Sequence, residues 1–241
     1  MRAPWIIAHR GASGHAPENT LAAFERAVEL GAGFIETDLH LSRDLQFVAI
    51  HDAGLERTTN GRGAVHDHTL AELRKLDAGQ WFDRQFRGQR IPTLDEILAF
   101  SRKHDVMFYL QIKYDVAWGM HHALVSALRN AESTARTVVV SFNPATLLAL
   151  RKLDTSVMMG LLVEEAQPDS LKTALDIGVR QLCPRSALIR RELVEEAHHS
   201  DVHVVTWTVN RAEEMRAMIA VGVDGIMTDF PDRLRATIED I

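Results

Sequence analysis

Short apolar runs alternate with amphipathic stretches along almost the whole chain. Such apolar runs predict buried strands, and the amphipathic stretches between them predict helices. The predicted strands are residues 5–9, 34–41, 106–113, 137–142, 157–163, 179–183, 202–209 and 223–229. The predicted helices are residues 18–30, 93–103, 120–131, 144–153, 169–177, 190–199, 212–221 and 231–239. The pattern therefore predicts eight strand–helix units.

Residues typical of helix ends support these boundaries. Thr93 is followed three residues later by Glu96, which is the spacing of a capping box. Pro144 lies just inside the start of its predicted helix, where the fixed φ of proline is favourable. Gly31 and Gly222 follow two other predicted helices and are expected to stop them.

The number and order of these units indicate the fold class. Nearly continuous apolar strands that alternate with helices favour a parallel sheet covered by helices. Because eight parallel strands close a barrel, we predict an α/β fold of the (β/α)8 TIM-barrel type, in a single domain over residues 1–241. A doubly wound open sheet is the alternative. Residues 51–90 are polar, rich in Gly and Arg, and too long for an ordinary loop, so we interpret them as an excursion over the catalytic end.

Composition and charge exclude several classes of partner. The chain carries 33 acidic and 27 basic side chains, a net charge of −6, with no basic stripe of the kind that binds nucleic acid. No stretch approaches the roughly 20 apolar residues of a membrane span, and the first residues lack a signal-peptide core. Cys183 is the only cysteine, which excludes an internal disulfide. We expect a cytoplasmic protein with a small-molecule substrate and no stable membrane insertion; its oligomeric state cannot be read from the chain.

Two acidic residues near the end of the second predicted strand are the first candidates for chemistry. Glu36 and Asp38 are two residues apart, so their side chains point to the same side of the strand. Active sites of such barrels lie at the carboxyl ends of the strands. Burying two carboxylates there is costly unless positive charge answers them. A divalent cation with oxygen ligands is the economical explanation, and ion pairs with Arg or Lys are the alternative.

Other polar residues follow the same ends of neighbouring strands. They are His9 and Arg10, His51 and Asp52, Gln111 and Lys113, Trp207, and Thr228 with Asp229. Two acid–base groups beside a cation and two positive side chains suit phosphoryl transfer, in which the enzyme mainly positions groups and neutralises charge.

These residues occur in a longer ordered set of motifs that covers the chain from residue 5 to residue 231. The motifs are His9-Arg10-Gly11, Ala16-Pro17-Glu18-Asn19-Thr20, Glu36-Thr37-Asp38, His51-Asp52, Arg57-Thr58-Thr59-Asn60-Gly61, Ile112-Lys113, Thr206-Trp207-Thr208-Val209-Asn210, and Thr228-Asp229 with Pro231. In this order they resemble the signature of the glycerophosphodiester phosphodiesterase family, compact bacterial type.

The resemblance implies a reaction and a role for each site residue. It implies hydrolysis of glycerophosphodiesters to glycerol 3-phosphate and an alcohol, with His9 and His51 as the acid–base pair. The neighbouring hydroxyl of the substrate attacks phosphorus, and water opens the cyclic phosphate that results. The implied metal ligands, for Mg²⁺ or Ca²⁺, are Glu36, Asp38 and the residue at position 111. The implied substrate-binding residues are Arg10, Glu18, Lys113 and Trp207.

The chain departs from the family pattern at one metal ligand. The third predicted strand carries Gln111 where the family usually has a glutamate, two residues before Lys113. An amide oxygen can bind Mg²⁺ or Ca²⁺ but brings no charge, so we expect weaker metal binding. Gln111 therefore leaves a weakly active or non-catalytic phosphodiester-binding barrel as one alternative. The other is a lysophospholipase D, for which Trp81, Phe82 and Phe86 could supply an apolar groove.

The remaining histidines and the cysteine are interpreted as structural or surface residues. Adjacent residues on a helix point about 100° apart and cannot chelate one ion together. The histidines concerned are His121 with His122 and His198 with His199. His66 and His68 lie two residues apart in the excursion, where a surface loop is the better interpretation. Cys183 ends a predicted strand with no base identified beside it, so we expect a buried, unreactive thiol.

Overall fold

The apolar runs of the chain form the strands of one sheet in a computed structural model, which describes residues 3–113, 119–166 and 169–241. The strands are β1 (Trp5–Ala8), β2 (Phe34–Leu41), β3 (Phe47–Ala49), β4 (Met107–Ile112), β5 (Thr137–Ser141), β6 (Met158–Val163), β7 (Gln181–Pro184), β8 (His203–Thr206) and β9 (Gly225–Thr228). The helices are α1 (Leu21–Glu29), α2 (Leu70–Leu73), α3 (Leu94–His104), α4 (Met120–Asn130), α5 (Pro144–Leu153), α6 (Ser170–Asp176), α7 (Arg191–His199), α8 (Ala212–Val221) and α9 (Pro231–Glu239).

Eight of the strands are parallel and close into a barrel. Their order around the barrel is β1, β2, β4, β5, β6, β7, β8 and β9, and β9 pairs with β1 to complete the ring. Strand β3 pairs antiparallel with β2 outside this ring. The prediction of a (β/α)8 barrel is confirmed.

Helix ends follow the residues predicted to set them, with one correction. Thr93 and Glu96 form the expected capping box of α3, and Gly222 ends α8 with a left-handed φ of 94°. The first helix was predicted to start at residue 18, which is wrong. Asn19 adopts a left-handed φ of 56°, and the Thr20 side chain accepts from the backbone N–H of Ala23, so α1 starts only after Thr20.

Apolar side chains pack in three places. The largest cluster fills the space between the strands and the outer helices. A second fills the barrel interior and consists of Ile7, Tyr109, Val138, Val140, Leu162, Cys183, Val205 and Met227. The third lies under the excursion and consists of Val48, Ile50, Leu55, Val65, Leu73, Ala78 and Ile91. Because the excursion buries its own apolar cluster, it is a folded part of the barrel end.

Within the described ranges, no helix is long and apolar enough to cross a membrane.

Candidate active site

A tight turn after β1 places His9 and Arg10 above the barrel. Gly11 has a left-handed φ of 81°, and a Cβ added to it would lie 2.7 Å from the backbone of Ala23, so glycine is required there. The backbone N–H of Arg10 donates to Glu36 Oε2 at 3.0 Å. This contact joins the turn after the first strand to the second strand.

Glu36, Asp38 and Gln111 point into the barrel. In the parallel register of β2 and β4, Glu36 lies opposite Tyr109 and Asp38 lies opposite Gln111. Residues that pair in this way present their side chains to one face of a sheet, and Tyr109 belongs to the interior cluster. All three polar residues are buried, with exposed fractions of 2%, 1% and 9% in the order given.

Asp38 is the better neutralised of the two acids. It lies 3.3 Å from Arg10 Nε and 3.4 Å from Lys113 Nζ, and Asn19 Nδ2 donates to it at 3.0 Å. Burial works against a charge on Asp38, but Arg10 and Lys113 outweigh it and lower the pKa of the carboxyl.

Glu36 has less positive charge near its carboxylate than Asp38 has. Burial and the neighbouring Asp38 raise the pKa of Glu36 to about 7, although His9 and Arg10 act in the opposite direction. The side-chain cation of Arg10 pairs with Asp38 and Glu18, so Glu36 receives mainly its backbone N–H. The pair of carboxylates is therefore under-compensated by the side chains around it.

His9 is oriented by Asp229. Its Nδ1 lies 2.7 Å from Asp229 Oδ1, while its Nε2 lies 4.0 Å from Glu36 Oε2. Ser13 and Asn210 also donate to Asp229, at 2.9 and 2.6 Å. Because a carboxylate can only accept, the Nδ1 of His9 carries a proton and its Nε2 faces the carboxylates of β2. Burial works against protonation of His9, but Asp229 and Glu36 outweigh it and raise its pKa.

His51 has a matching partner in the residue that follows it. Its Nδ1 lies 2.5 Å from Asp52 Oδ1, and Arg57 Nε donates to Asp52 Oδ2 at 2.5 Å. Arg57 also donates to both carboxylate oxygens of Glu18 at 2.8 Å, and Glu18 accepts from Arg10 at 2.9 Å. One chain of charged groups thus links the second histidine to Arg10. Burial lowers the pKa of His51.

These groups surround a cavity of about 310 Å³ at the carboxyl ends of the strands. One side of it is polar and is formed by His9, Arg10, Glu36, His51, Gln111 and Lys113. The other side is largely apolar and is formed by Val140, Phe142, Leu162, Trp207 and Met227, with Thr208 and Glu164. Trp207 is held by a hydrogen bond from its Nε1 to the carbonyl of Cys183 at 2.7 Å. A cavity with one polar and one apolar side suits a small amphipathic phosphodiester.

Most of these site residues could be identified from the sequence, but the roles of the side chains that bind and orient them could not. Each residue singled out above lines the cavity or, like Glu18 and Asp38, contacts a residue that does. Asp52 and Asp229 stood in the quoted motifs without a role, although their position next to a histidine or at a strand end was the available signal. Arg57 bridges Asp52 and Glu18, and nothing in the spacing of the three residues indicated that contact.

For Cys183 and the histidines outside the site, the interpretation as structural or surface residues stands. Cys183 is fully buried, and burial raises the pKa of its thiol to about 12. The paired histidines outside the site are absent from the cavity lining. Trp81, Phe82 and Phe86, which were named above as a possible apolar groove for a lysophospholipid, pack in sequence with neighbouring ring centroids 5.7 Å apart. They are absent from the cavity lining.

Comparison with known proteins places this chain in one class, the phosphoric diester hydrolases. The sequence profile of the Glycerophosphoryl diester phosphodiesterase family matches residues 9–233. The chain belongs to this family. A glycerophosphodiester phosphodiesterase of Caldanaerobacter subterraneus subsp. tengcongensis is 41% identical over 231 residues, which cover 95% of each chain. One of Bacillus altitudinis is 34% identical over 234 residues, again 95% of each chain.

Solved structures show the same architecture. An Oleispira antarctica phosphodiesterase in complex with the product sn-glycerol-3-phosphate has a TM-score of 0.90 and 27% identity, and the match covers 98% of this chain and 97% of that one. A glycerophosphodiester phosphodiesterase from Agrobacterium tumefaciens has a TM-score of 0.86 and 28% identity, with 97% and 99% covered.

Proposed function

We propose that this enzyme hydrolyses glycerophosphodiesters to glycerol 3-phosphate and an alcohol, with His9 and His51 as its acid–base pair. The observation that carries the proposal is the presence of two histidines, each with Nδ1 on an aspartate, on the polar side of one cavity. In both cases the aspartate leaves Nε2 for the substrate. The sn-glycerol-3-phosphate bound by the Oleispira antarctica phosphodiesterase supports the proposed product.

The two histidines then divide the proton transfers. One accepts the proton of the substrate hydroxyl next to the phosphate as that oxygen bonds to phosphorus. The other donates a proton to the oxygen of the departing alcohol as its bond to phosphorus breaks. Water opens the cyclic phosphate with the two roles exchanged, so both histidines return to their starting states.

Charged neighbours hold the phosphate in this scheme. Arg10 and Lys113 line the cavity and offer N–H donors to the non-bridging phosphate oxygens. Glu18 positions Arg10 through its hydrogen bond to Nη1. Trp207, fixed by its own hydrogen bond, offers an apolar surface to the glycerol carbons.

The residues at the carboxyl ends of β2 and β4 fit a divalent metal ion. Glu36, Asp38 and Gln111 would supply the oxygen ligands that Mg²⁺ and Ca²⁺ prefer, and the raised pKa of Glu36 supports a site that favours added positive charge. Among the described residues, no group of three or more His, Cys, Asp and Glu side chains is arranged to hold a metal ion, and Gln111 offers an amide oxygen beside the two acids. When bound, the ion would neutralise charge that develops on the phosphate.

The experiment that tests the proposed reaction compares glycerophosphocholine with its 2-deoxy analogue in the presence of Mg²⁺, Ca²⁺ or Mn²⁺. Because the neighbouring hydroxyl is the nucleophile, only the first compound should release choline at an appreciable rate. Equal rates on both would exclude this mechanism. No turnover of either with any of the metals would favour the non-catalytic alternative. Release of choline from lysophosphatidylcholine but not from glycerophosphocholine would favour the lysophospholipase D.

The metal ligands are tested through Gln111→Glu. A third carboxylate increases attraction for a divalent ion, so the metal concentration for half-maximal rate should fall, while the rate at saturating metal should change much less. Added metal should also raise the melting temperature of the variant more than that of the parent enzyme, since a ligand that binds the folded state stabilises it. Identical metal curves for the two proteins would show that Gln111 is not a ligand.

A further inference from the structure

Two asparagines hold two aspartates of the active site by the same set of hydrogen bonds. Asn19 Nδ2 donates to Asp38 Oδ2 at 3.0 Å, and Asn210 Nδ2 donates to Asp229 Oδ2 at 2.6 Å. Each asparagine Oδ1 accepts from the backbone N–H of its aspartate and from the hydroxyl of the threonine before that aspartate. The two threonines are Thr37 and Thr228. We call each set of three hydrogen bonds an Asn–Thr–Asp motif.

The contacts themselves determine which end of each amide is the oxygen. A carboxylate can only accept, so the amide atom beside it must be the NH₂ group. A backbone N–H can only donate, so the amide atom beside it must be the oxygen. The motif therefore requires a donor and an acceptor on one short side chain, which is what asparagine supplies.

The two motifs occupy equivalent places in the fold although different loops lead to them. Each aspartate lies 19 residues after its asparagine, and one N-cap residue separates each asparagine from the helix that follows, α1 or α8. Residues 9–18 lead from β1 to the first asparagine, whereas residues 207–209 lead from β8 to the second. Because loops of such different length bring the same amide to the same contacts, the aspartates rather than the loops account for the motif.

In the second motif, Asn210 determines which carboxylate oxygen faces His9. Asp229 Oδ2 accepts from Asn210, and Oδ1 lies 2.7 Å from His9 Nδ1 and accepts from Ser13 Oγ at 2.9 Å. Rotation of the carboxylate would break the contacts of both oxygens. The hydrogen bond from Asn210 therefore sets the position of Oδ1 and, through it, the orientation of the imidazole.

In the first motif, Asn19 holds an acid whose charged partners have a second task. Asp38 lies 3.3 Å from Arg10 Nε and 3.4 Å from Lys113 Nζ. Both cations line the cavity and bind the phosphate in the proposed reaction, so a bound substrate competes with the acid for them. The amide of Asn19 is neutral and 3% exposed, so it keeps its contact with Asp38 without competing for the phosphate.

We propose that Asn19 and Asn210 are positioning residues with separate tasks. Asn19 fixes Asp38 as a ligand of the proposed metal ion. Asn210 fixes Asp229 as the hydrogen-bond partner of His9. The inference rests on the proposed function, because the metal ion and the acid–base histidine belong to it. Loss of a residue that hydrogen-bonds to a metal ligand typically weakens metal binding by about 10- to 100-fold. Two motifs of the same geometry should therefore fail in different ways.

The first measurement is metal affinity without substrate. Asn19→Gly removes the amide and tolerates the left-handed φ of 56° at this position, and Asn210→Ala is the corresponding truncation in the second motif. Titration with Mn²⁺, with the free ion followed by electron paramagnetic resonance, gives the Kd. Asn19→Gly should raise this Kd about tenfold or more, whereas Asn210→Ala should change it by less than about twofold.

The second measurement reports on His9. At alkaline pH, nitrogen NMR of histidine-labelled protein shows which ring nitrogen carries the proton, and His9→Ala identifies the signals. Asn210→Ala should lower the fraction with a proton on Nδ1 and reduce kcat at saturating metal about tenfold. Asn19→Gly should leave the tautomer of His9 unchanged and change kcat at saturating metal much less.

Milder variants and a matched control guard against general loss of structure. Thr37→Val and Thr228→Val remove one donor from each motif and should give the same division of effects, about 2- to 3-fold in size. Asn143 also precedes a helix at this end of the barrel, where its side chain accepts from the backbone N–H of Ala145. Asn143→Ala should lower the melting temperature and leave Kd, kcat and the tautomer unchanged.

The outcomes separate this inference from the proposed function. Equal changes of Kd and tautomer in Asn19→Gly and Asn210→Ala, or changes no larger than those of Asn143→Ala, would overturn the separate tasks. A parent enzyme that binds no Mn²⁺ would overturn the metal site and the task of Asn19 with it. If the Kd and tautomer effects divide as expected but glycerophosphocholine is not hydrolysed, the positioning roles stand and the proposed reaction fails.

Discussion

The two histidine–aspartate pairs of this enzyme use the same contact in different surroundings. His9 and Asp229 follow adjacent strands of the closed barrel, and two further side chains donate to the aspartate. His51 and Asp52 are neighbours in sequence at the start of the excursion, and their aspartate depends on Arg57, whose side chain is 43% exposed. The first pair belongs to the closed barrel. The second is held near the surface by the ion pairs of Arg57 with Asp52 and Glu18, which we call the clamp.

The pKa values of the two histidines move in opposite directions as a result. Burial opposes protonation at both residues. At His9 the carboxylates of Asp229 and Glu36 outweigh that effect and raise the pKa. At His51 the cations Arg10 and Lys113 add to burial, and the pKa falls. Two histidines that share the same type of hydrogen-bond partner can therefore differ in pKa, because the pKa also depends on the charged groups farther away.

The largest expected effect comes from removing either imidazole. His9→Ala and His51→Ala should each lower kcat by about 10² to 10⁴, the range for a positioned general acid or base. The loss should appear in steady-state release of glycerol 3-phosphate at saturating metal, with thermal unfolding measured beside it. A loss smaller than about tenfold in a folded variant would remove that histidine from the acid–base pair.

A smaller effect should distinguish the two aspartates. In Asp229→Asn the new NH₂ group must face a donor, either Asn210 Nδ2 or Ser13 Oγ with His9. Where it faces His9, the histidine loses its preferred tautomer, and in either orientation the new amide lacks the negative charge that favours protonated His9. We expect kcat to fall about 10²-fold. Asp52→Asn should cost only about tenfold, because water can replace contacts in that more exposed pair. Equal losses would show that the barrel and the excursion support their histidines equally well.

Acid stability provides a third comparison. Burial works to raise the pKa of Asp229, but hydrogen bonds from His9, Asn210 and Ser13 lower it to about 2. A carboxyl pKa that is lowered by folding stabilises the folded state at pH values above the ordinary aspartate pKa near 3.9. This contribution is lost as the pH falls toward 2. It amounts to about 2 kcal/mol. The difference in unfolding free energy between the parent enzyme and Asp229→Asn, from urea titrations, should therefore shrink by that amount between about pH 5 and 2. A constant difference would show that Asp229 is not stabilised as an anion.

The smallest effect is expected at Arg57. Arg57→Lys keeps the charge but loses the planar fork that binds Asp52 and Glu18 together. We expect kcat/KM to fall about 3- to 5-fold and stability to change by no more than about 1 kcal/mol, because the side chain is half exposed. Arg62→Lys, at an exposed arginine of the same excursion, is the matched control. If both variants behave alike, the clamp contributes nothing to the orientation of His51.

The sequence could predict those features that depend on local patterns. The alternation of apolar strands and helices was enough for the barrel, and the capping box at Thr93 and Glu96 was visible in the spacing alone. Alternation along β2 likewise indicated that Glu36 and Asp38 share a face. The strands, the helices, the cap and the shared face are each set by residues a few positions apart.

The parts that escaped prediction depend on contacts between distant segments. Asn19 starts the first helix late because its side chain is used to hold Asp38 and Thr37. Arg57 reaches Glu18, which lies on a different loop. The excursion was read only as a polar stretch, whereas it contains α2 with its own capping box at Thr69 and Glu72. The sequence pattern of one segment does not indicate which distant side chain will contact that segment in the folded protein.

The pairing of β9 with β1 has a consequence for the time at which the enzyme becomes active. His9 and the aspartate that orients it are 220 positions apart, near the two ends of the chain. A ribosome makes His9 220 residues before it makes Asp229. A growing chain can therefore not hydrolyse its substrate with a correctly oriented His9 until the ring of strands has closed. Activity in this enzyme therefore requires the pairing of β9 with β1 and not the synthesis of His9 alone.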